Sequence, residues 1–300
     1  MANKIKLPCG LSKDGKLIYI EEAENGLACE CVCPGCKQAL VAKNGGKKRE
    51  HHFAHLNVVE CEHGYQSALH YMGKECFLEM KYLTFIKDGK IVQYKIDSVE
   101  LERKVSDIIP DIIVTCDSKR FIVEIYVTHA VDDEKKAKIK VLQVSAIEID
   151  LSRFHKEMID REALKQELCN TANFCWVYDA DDDLIEQKKE IIQQFGMRIK
   201  MQRGCIVGCP YAKTYVPMNF CEECVFCCKE GNDSIRCGIN LLSHPELRNT
   251  IENSTNILVN QNKLMTPSEA EQYNKSHFGW KMREAVNQAI GAQMLFSRRW

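Results

Sequence analysis

The sequence predicts a mixed α/β fold, in which a small mixed β-sheet lies between two cysteine-rich metal-binding modules. Between residues 63 and 170, apolar patterns follow one another in the order helix, strands, helix, strand, and this order favours a mixed sheet with helices packed on it. Cysteines concentrate before and after this region in several Cys-x-x-Cys pairs. That spacing is typical of zinc modules.

Composition limits the function classes. The chain has 300 residues, 45% of them hydrophobic and 28% charged, which suggests two or three units. No apolar run approaches the roughly 18 residues of a membrane span, and residues 1–8 lack the apolar stretch of a signal peptide. We therefore expect a cytoplasmic protein without a membrane partner. There, an odd count of 17 cysteines favours metal binding over disulfides. A net charge of −1 means that nucleic-acid binding requires local basic patches.

Four regions are predicted. Residues 1–62 form a hairpin and a zinc finger, 63–170 the sheet-containing core, 171–240 a helix with a cysteine-rich module, and 241–300 a helical basic tail. The tail is suited equally to nucleic acid and to docking of a protein partner, and a homo-oligomer is also possible. Its basic residues are Lys275, Lys281, Arg283, Arg298 and Arg299.

The core has the clearest patterns. Tyr65–Met80 has apolar residues at helical spacing and no internal proline. Ile108–Cys116 and Phe121–Val127 form an apolar pair around a polar turn, which predicts a hairpin. The charged segment Asp132–Lys140 favours a second helix, and Val144–Ile149 favours a further strand.

Three elements are predicted outside the core. The Asp14-Gly15 turn before Leu17–Ile20 indicates an opening hairpin. A second unit begins near Trp176, with a helix from Asp181 to about Gln202. Thr266–Glu269 has the pattern of a helix start with proline in the first turn.

The first predicted metal site joins two pairs of ligands. Cys33-Pro34-Gly35-Cys36 and His52-Phe53-Ala54-His55 are separated by fifteen residues. They offer two thiolates and two imidazoles, which tetrahedral structural zinc prefers. Other potential ligands lie close enough to compete, namely Cys29, Cys31, His51 and Cys61.

A basic loop lies between these pairs, around Gly45-Gly46. Such a loop can contact phosphates without reading bases, or it can be a solvated turn that keeps the module soluble. Its cations are Lys43, Lys47, Lys48 and Arg49.

The second predicted metal site is a four-cysteine zinc ribbon. Cys221 and Cys224 form its clearest pair, with Cys209 upstream and Cys237 downstream. This set has no open coordination position, so a structural role is expected. The alternates are Cys205, Cys227 and Cys228. About two structural zinc ions are therefore expected.

Two acids in the predicted hairpin form the candidate catalytic pair. With a two-residue turn at Asp117-Ser118, Asp111 faces Glu124 directly, and with a turn shifted by one residue the two are diagonal. Either register separates them by about 5 to 8 Å. Such a pair repels unless a hard cation such as Mg²⁺ or Mn²⁺ neutralises it. The alternative is a solvated Asp111 at a strand end and an outward-facing Glu124.

These motifs resemble a known family. Pro110-Asp111, the strand carrying Glu124 and the following helix are similar to the PD-(D/E)xK nuclease superfamily, and the Cys33–Cys36 and His52–His55 pairs resemble the finger of competence protein CoiA-like nucleases. The resemblance covers roughly residues 25 to 152. It implies a restriction-endonuclease-like core that cleaves DNA with Mg²⁺ or Mn²⁺, in competence, recombination or antiviral defence. Three helix residues match the family pattern, namely Ser67, His70 and Lys74.

Two positions depart from the family pattern. Gln66 stands where an acid commonly precedes the serine, and the departure that matters most is Tyr126, which stands where the lysine of the signature is expected. A replacement cation must then come from elsewhere. Lys74, one helical turn after His70, is the first choice, and Lys135 is the second. The rival interpretation is a catalytically inactive accessory protein that binds nucleic acid or a partner. The sequence leaves the choice between DNA and RNA open.

Overall fold

A computed structural model shows a mixed α/β protein that divides into two compact units, Met1–Ala180 and Asp181–Trp300. The structure describes residues 6–57, 61, 63–154, 157–202, 205–209, 214–217, 221, 224, 226–230 and 234–260. The predicted helix start at Thr266–Glu269 and the cations of the basic tail lie outside these residues.

The first unit is built around a six-stranded mixed sheet of order β10-β9-β8-β7-β6-β5. Only β8 and β9 pair in parallel, and the crossover between them contains α2. The strands are β1 (Cys9–Leu11), β2 (Leu17–Tyr19), β3 (Leu40–Lys43), β4 (His52–His55), β5 (Tyr82–Lys87), β6 (Lys90–Leu101), β7 (Ile112–Cys116), β8 (Lys119–Tyr126), β9 (Ser145–Asp150) and β10 (Phe174–Tyr178). The helices are α1 (Gly64–Glu79), α2 (Asp133–Leu142) and α3 (Arg161–Cys169).

The β7–β8 hairpin has the predicted register. Its turn is Asp117-Ser118, and both residues have positive φ, at 47° and 69°, as the tight primed turns require. The ladder extends to Ile112 opposite Val123. Asp111 lies one residue beyond the end of this ladder, and its carboxylate accepts a hydrogen bond from the Ile125 N–H at 3.0 Å, so the direct facing of the two acids stays a prediction.

Helices α1 and α2 pack on opposite faces of this sheet, because side chains alternate along β8. Ile125 points to α1, where a Cβ on Gly73 would lie only 2.6 Å from the Ile125 Cδ1 atom. Ile122 points the other way and packs with Ile139 of α2. Asp132 caps α2 by accepting a hydrogen bond from the Lys135 N–H at 2.7 Å. Even-numbered residues of β8, including Glu124, therefore face α2.

The sheet is curled so strongly that its two edge strands, β5 and β10, are in contact. The rings of Phe85 on β5 and Trp176 on β10 meet edge to face, with centroids 5.0 Å apart. Lys87 and Asp179 form an ion pair at 2.6 Å. The second unit begins at Asp181, five residues after Trp176. Aromatic contacts across the curled sheet hold β10 in the first unit, beyond the predicted boundary at residue 170.

The N-terminal module shares its core with α1. The short hairpins β1–β2 and β3–β4 are linked by a bridge between Leu7 and Phe53. Both of these residues are fully buried in one apolar cluster with Leu69 and Met72 of α1. Residues 6–57 thus pack onto the sheet-containing region.

The second unit has a five-stranded antiparallel sheet of order β13-β12-β11-β15-β14. The helix predicted to reach Gln202 ends at Phe195 instead. Gly196 ends it, donating its N–H to the Ile192 carbonyl at 2.8 Å, and the alternating segment after it forms a strand. The elements are α4 (Ala180–Phe195), β11 (Met197–Gln202), β12 (Cys205–Cys209), β13 (Thr214–Pro217), β14 (Cys227–Lys229), β15 (Ser234–Cys237) and α5 (Arg248–Asn260).

Across the described part of the chain, every helix is too short or too polar to cross a lipid bilayer.

Candidate zinc site and candidate active site

Four side chains of the N-terminal module converge on one point and form the knuckle cluster: Cys33, Cys36, His55 and Cys61. Their ligand atoms all lie within 4.8 Å of one another. The Cys33 and Cys61 sulfurs are 3.7 Å apart, and the Cys36 sulfur is 3.3 Å from Nε2 of His55. Zinc with tetrahedral bonds of about 2.3 Å to sulfur holds two sulfurs about 3.8 Å apart. The knuckle cluster can therefore hold one zinc ion.

The prediction of His52 as a ligand is wrong. His52 and His55 are three residues apart on β4, and such residues point to opposite faces of a strand. The His52 ring instead contacts the Glu50 carbonyl at 2.9 Å. Cys61, one of the competing residues in the sequence, takes its place. The HFAH segment was chosen because its spacing matches that of the cysteine pair, but it forms a strand in which Phe53 is buried.

The protonation states of the ligands affect metal binding at the knuckle cluster in different directions. Burial lowers the pKa of His55, which keeps its imidazole neutral and able to bind a metal. Burial raises the pKa of Cys33 to about 12. Burial also opposes ionisation of Cys36, but hydrogen bonds from the Gln38 N–H and the neighbouring thiols lower its pKa. Metal binding must then displace thiol protons.

Two glycines fix the knuckle cluster to α1. A Cβ on Gly35 would lie 2.9 Å from the His63 carbonyl oxygen, and a Cβ on Gly64 would lie 2.9 Å from the Cys61 sulfur. Neither position has space for a side chain. Because α1 begins at Gly64, the knuckle cluster and α1 form one continuous structure.

The basic loop of this module lies beside an open cavity of about 560 Å³. Lys47 and Arg49 line the cavity together with three acids, Glu21, Glu50 and Asp160. Glu50 also pairs with Lys6 at 2.7 Å. The acids offset the charge of the loop, which fits the solvated turn better than a phosphate contact.

Asp111 is held by two residues of α1. Its Oδ1 lies 2.8 Å from Nζ of Lys74, and its Oδ2 lies 3.3 Å from Nδ1 of His70. Oδ2 also accepts a hydrogen bond from the Ile125 N–H at 3.0 Å. Burial opposes ionisation, but His70 and Lys74 hold the pKa of Asp111 well below its ordinary value. Asp111 is therefore a carboxylate at neutral pH.

Glu124 faces α2, and its pKa is shifted in the opposite direction from that of Asp111. It is 5% exposed, and its Oε1 lies 2.7 Å from Nζ of Lys135. That oxygen nevertheless lacks an aligned hydrogen-bond donor among the described residues. Burial raises the pKa of Glu124 to about 7, Lys135 opposes this rise, and the charge of Asp111 adds to it. The two acids thus titrate far apart.

Each of the remaining predicted site residues lies near one of the two acids. Lys74, the first choice for the replacement cation, also pairs with Glu102 at 2.8 Å, so two acids share its charge. Lys135 is the cation at Glu124. Tyr126 lies two residues after Glu124 on β8 and is half-buried on the same side of the strand.

The sequence interpretation missed Glu148. It pairs with Glu124 across the parallel strands β8 and β9, so the two carboxylates lie on the same face of the sheet. Glu148 accepts a hydrogen bond from the Val131 N–H at 2.6 Å, which fixes the connection that leads into α2. Its polar position in the apolar segment Val144–Ile149 was the available signal.

The acids also meet the requirements of a hard cation. They offer oxygen donors, and the buried Oε1 of Glu124 lacks an aligned donor. Three or more Cys, His, Asp or Glu ligand atoms converge only in the knuckle cluster, within the part of the chain that the structure describes. Among these residues, the acid pair by itself does not form a complete ligand set.

Cysteines also gather in the second unit. Cys209, Cys221 and Cys237 are buried, and the thiols of Cys221 and Cys227 form a hydrogen bond. Cys227 and Cys237 are opposite each other in the β14–β15 ladder. Cys227, an alternate in the sequence interpretation, therefore belongs with this group. The side chain of Cys205 lies outside the described residues.

No family model, curated protein or solved structure matches the chain.

Proposed function

We propose that the protein is a Mg²⁺- or Mn²⁺-dependent nuclease of the PD-(D/E)xK type that cleaves phosphodiester bonds in DNA. One observation carries the proposal, which is that Asp111 and Glu124 lie close together at the end of a hairpin, with a lysine from a different helix at each acid. The crossover from β8 through α2 to the parallel strand β9 supports a restriction-endonuclease-like core. The motifs that resemble CoiA-like nucleases support the same assignment.

The proposed chemistry divides between the two acids. Asp111 and Glu124 would hold the divalent cation, which supplies an activated water and offsets phosphate charge. His70 and Lys74 keep Asp111 ionised and oriented. Lys135 holds an ammonium group beside Glu124, where it can offset charge on the phosphate as the transition state forms. In this proposal Lys135 replaces the cation that Tyr126 cannot supply, and Tyr126 can donate a hydrogen bond.

We further propose a second structural zinc ion in the second unit. Four ligands would come from a group of five cysteines, namely Cys209, Cys221, Cys224, Cys227 and Cys237. The buried positions and the Cys221–Cys227 contact support this assignment. Elemental analysis of protein purified without chelator is expected to give about two zinc ions per chain. One zinc ion would withdraw this second site.

A second candidate function is a catalytically inactive accessory protein that binds nucleic acid or a partner protein. The ion pairs favour it, because Lys74 and Lys135 already neutralise the acids without a divalent cation. The tyrosine at position 126 also fits a nuclease fold that has lost its activity.

A cleavage assay separates the two candidates. Purified protein is incubated with linear, circular and single-stranded DNA, and with RNA, in the presence of Mg²⁺ or Mn²⁺. The proposal expects cleavage of DNA that Asp111→Ala and Glu124→Ala each abolish, while zinc content and DNA binding persist. Cleavage that survives in both variants overturns the assignment. Binding without cleavage by the parent protein favours the accessory function.

A further inference from the structure

Lys37 lies directly after the zinc ligand Cys36 and projects over a tyrosine of α1. Its ammonium nitrogen is 5.4 Å from the ring centroid of Tyr71, a distance at which a cation is attracted to the face of an aromatic ring. The same nitrogen donates a hydrogen bond to the Pro34 carbonyl at 2.7 Å. The knuckle cluster and α1 together therefore orient this side chain.

The backbone at Lys37 is in a conformation that favours glycine. Its φ is +62°, and its N–H donates to the Cys33 carbonyl at 3.0 Å, which closes the knuckle turn. Residues with side chains rarely adopt this conformation, and holding one there costs roughly 1 kcal/mol or more. Glycine would satisfy the turn better, so the turn itself does not account for the lysine.

Within the part of the chain that the structure describes, Lys37 forms no ion pair. Two other lysines of the module pair with acids, Lys6 with Glu50 at 2.7 Å and Lys13 with Glu30 at 2.8 Å. Lys37 contacts only a ring and a carbonyl among the described residues, and it is exposed. An anion can therefore approach its ammonium group.

The position of Tyr71 relates this cation to the acids. Tyr71 follows His70 and lies three residues before Lys74, so the three residues fall within about 100° of the circumference of α1. His70 and Lys74 contact Asp111. The ring over which Lys37 lies thus comes from the same stretch of α1 as the residues that hold the acid.

We propose that Lys37, held over Tyr71 by the knuckle cluster, binds the phosphodiester backbone of the DNA strand that enters between Asp111 and Glu124. This inference rests on the proposed function and adds a substrate contact to it. Loading of zinc at Cys36 would then orient a substrate-binding residue.

The test uses Lys37→Gly in the full-length, zinc-loaded protein, because glycine suits the positive φ and the turn is expected to stay folded. Binding of fluorescent linear duplex DNA is measured between 50 and 200 mM salt, with Ca²⁺ in place of Mg²⁺. Losing one phosphate contact is expected to reduce the slope of log affinity against log salt by about 0.9. The melting temperature and zinc content are expected to stay at or above those of the parent.

Two comparisons isolate the role of the ring and of the charge. Lys13→Ala removes a cation from the same module but is expected to keep the parent slope. Tyr71→Phe is expected to keep the parent slope as well, because the ring face persists, whereas Tyr71→Leu is expected to weaken binding. A parent slope in Lys37→Gly, or an equal loss in Lys13→Ala, overturns the inference.

Failure of this inference is distinguishable from failure of the proposed function. If the parent cleaves DNA and Lys37→Gly has the parent salt slope, the contact is wrong and the nuclease assignment stands. If the parent binds DNA with a slope that depends on Lys37 but never cleaves it, the contact stands and the nuclease assignment is wrong.

Discussion

The knuckle cluster and the acid pair are two contrasting ways of arranging metal-ligating side chains. The knuckle cluster gathers four ligands within 4.8 Å, enough to complete the coordination shell of zinc. The acid pair offers two carboxylates, and amino groups lie 2.8 Å from Asp111 and 2.7 Å from Glu124. The first arrangement is closed and suits structure. The second is open and suits exchange of water and substrate.

The contrast extends to protonation. Burial of the knuckle cluster is compatible with thiols that give up protons only to a metal. At the acid pair, His70 and Lys74 keep Asp111 ionised, whereas burial raises the pKa of Glu124 to about 7. Two like acids are thus made different by their neighbours, which is a recurring feature of catalytic sites.

The largest expected effect tests whether the knuckle cluster is closed by Cys61 rather than by His52. Cys61→Ser is expected to remove one zinc ion per chain and to lower the free energy of unfolding by several kcal/mol, since metal binding is coupled to folding. His52→Ala is the matched variant and is expected to keep the parent zinc content. Elemental analysis and thermal melting measure both. Zinc lost from His52→Ala and kept in Cys61→Ser would reverse the ligand assignment.

The next effect concerns the lysines at the open site. Lys135→Ala is expected to lower single-turnover cleavage of DNA by about ten- to a thousandfold, because it removes a positive charge beside the reacting phosphate. Lys136→Ala changes a neighbouring lysine of α2 that pairs with Asp133 at 3.5 Å, and it is expected to cleave like the parent. If Lys135→Ala and Lys74→Ala both cleave at the parent rate, neither lysine replaces the signature cation.

A smaller effect is expected on stability. The pKa of Glu124 is raised from its ordinary value of 4.5 to about 7 in the folded protein, so folding favours its protonated form. Its ionisation destabilises the fold as pH rises through 7, and this cost is absent below about 4.5. Glu124→Gln is therefore expected to raise the free energy of unfolding by about 1 to 3 kcal/mol at pH 8, but little at pH 4.5. Urea unfolding without added divalent cation or chelator measures this. A difference in the free energy of unfolding between Glu124→Gln and the parent that stays constant with pH would contradict the prediction.

The hairpin and the knuckle cluster show which features of the two sites could be predicted from the sequence. The register of β7 against β8 was predictable, because a two-residue turn fixes which residues face each other. The ligand His52 was predicted from spacing alone, and the spacing was misleading because residues 52 and 55 lie on a strand. The sequence indicated Cys61 only as one of several competing ligands, because its position beside the other ligands depends on close packing against Gly64.

Contacts between distant segments were beyond prediction. Lys135 reaches Glu124 because α2 packs on one particular face of β8, and Glu148 neighbours Glu124 only through the parallel pairing of β8 and β9. Strand β10 belongs to the first unit because Trp176 contacts Phe85 across the curled sheet. Each of these contacts is set by three-dimensional packing, for which a single sequence has no local signal.

The central claim is that Asp111 and Glu124 share one divalent cation, distinct from zinc. Titration of Mn²⁺ into the zinc-loaded protein, followed by electron paramagnetic resonance, tests it most directly. We expect one Mn²⁺ site in the parent protein, a strongly weakened site in both Asp111→Asn and Glu124→Gln, and unchanged zinc content in all three. Mn²⁺ affinity that is equal in the parent and in both variants would contradict the claim.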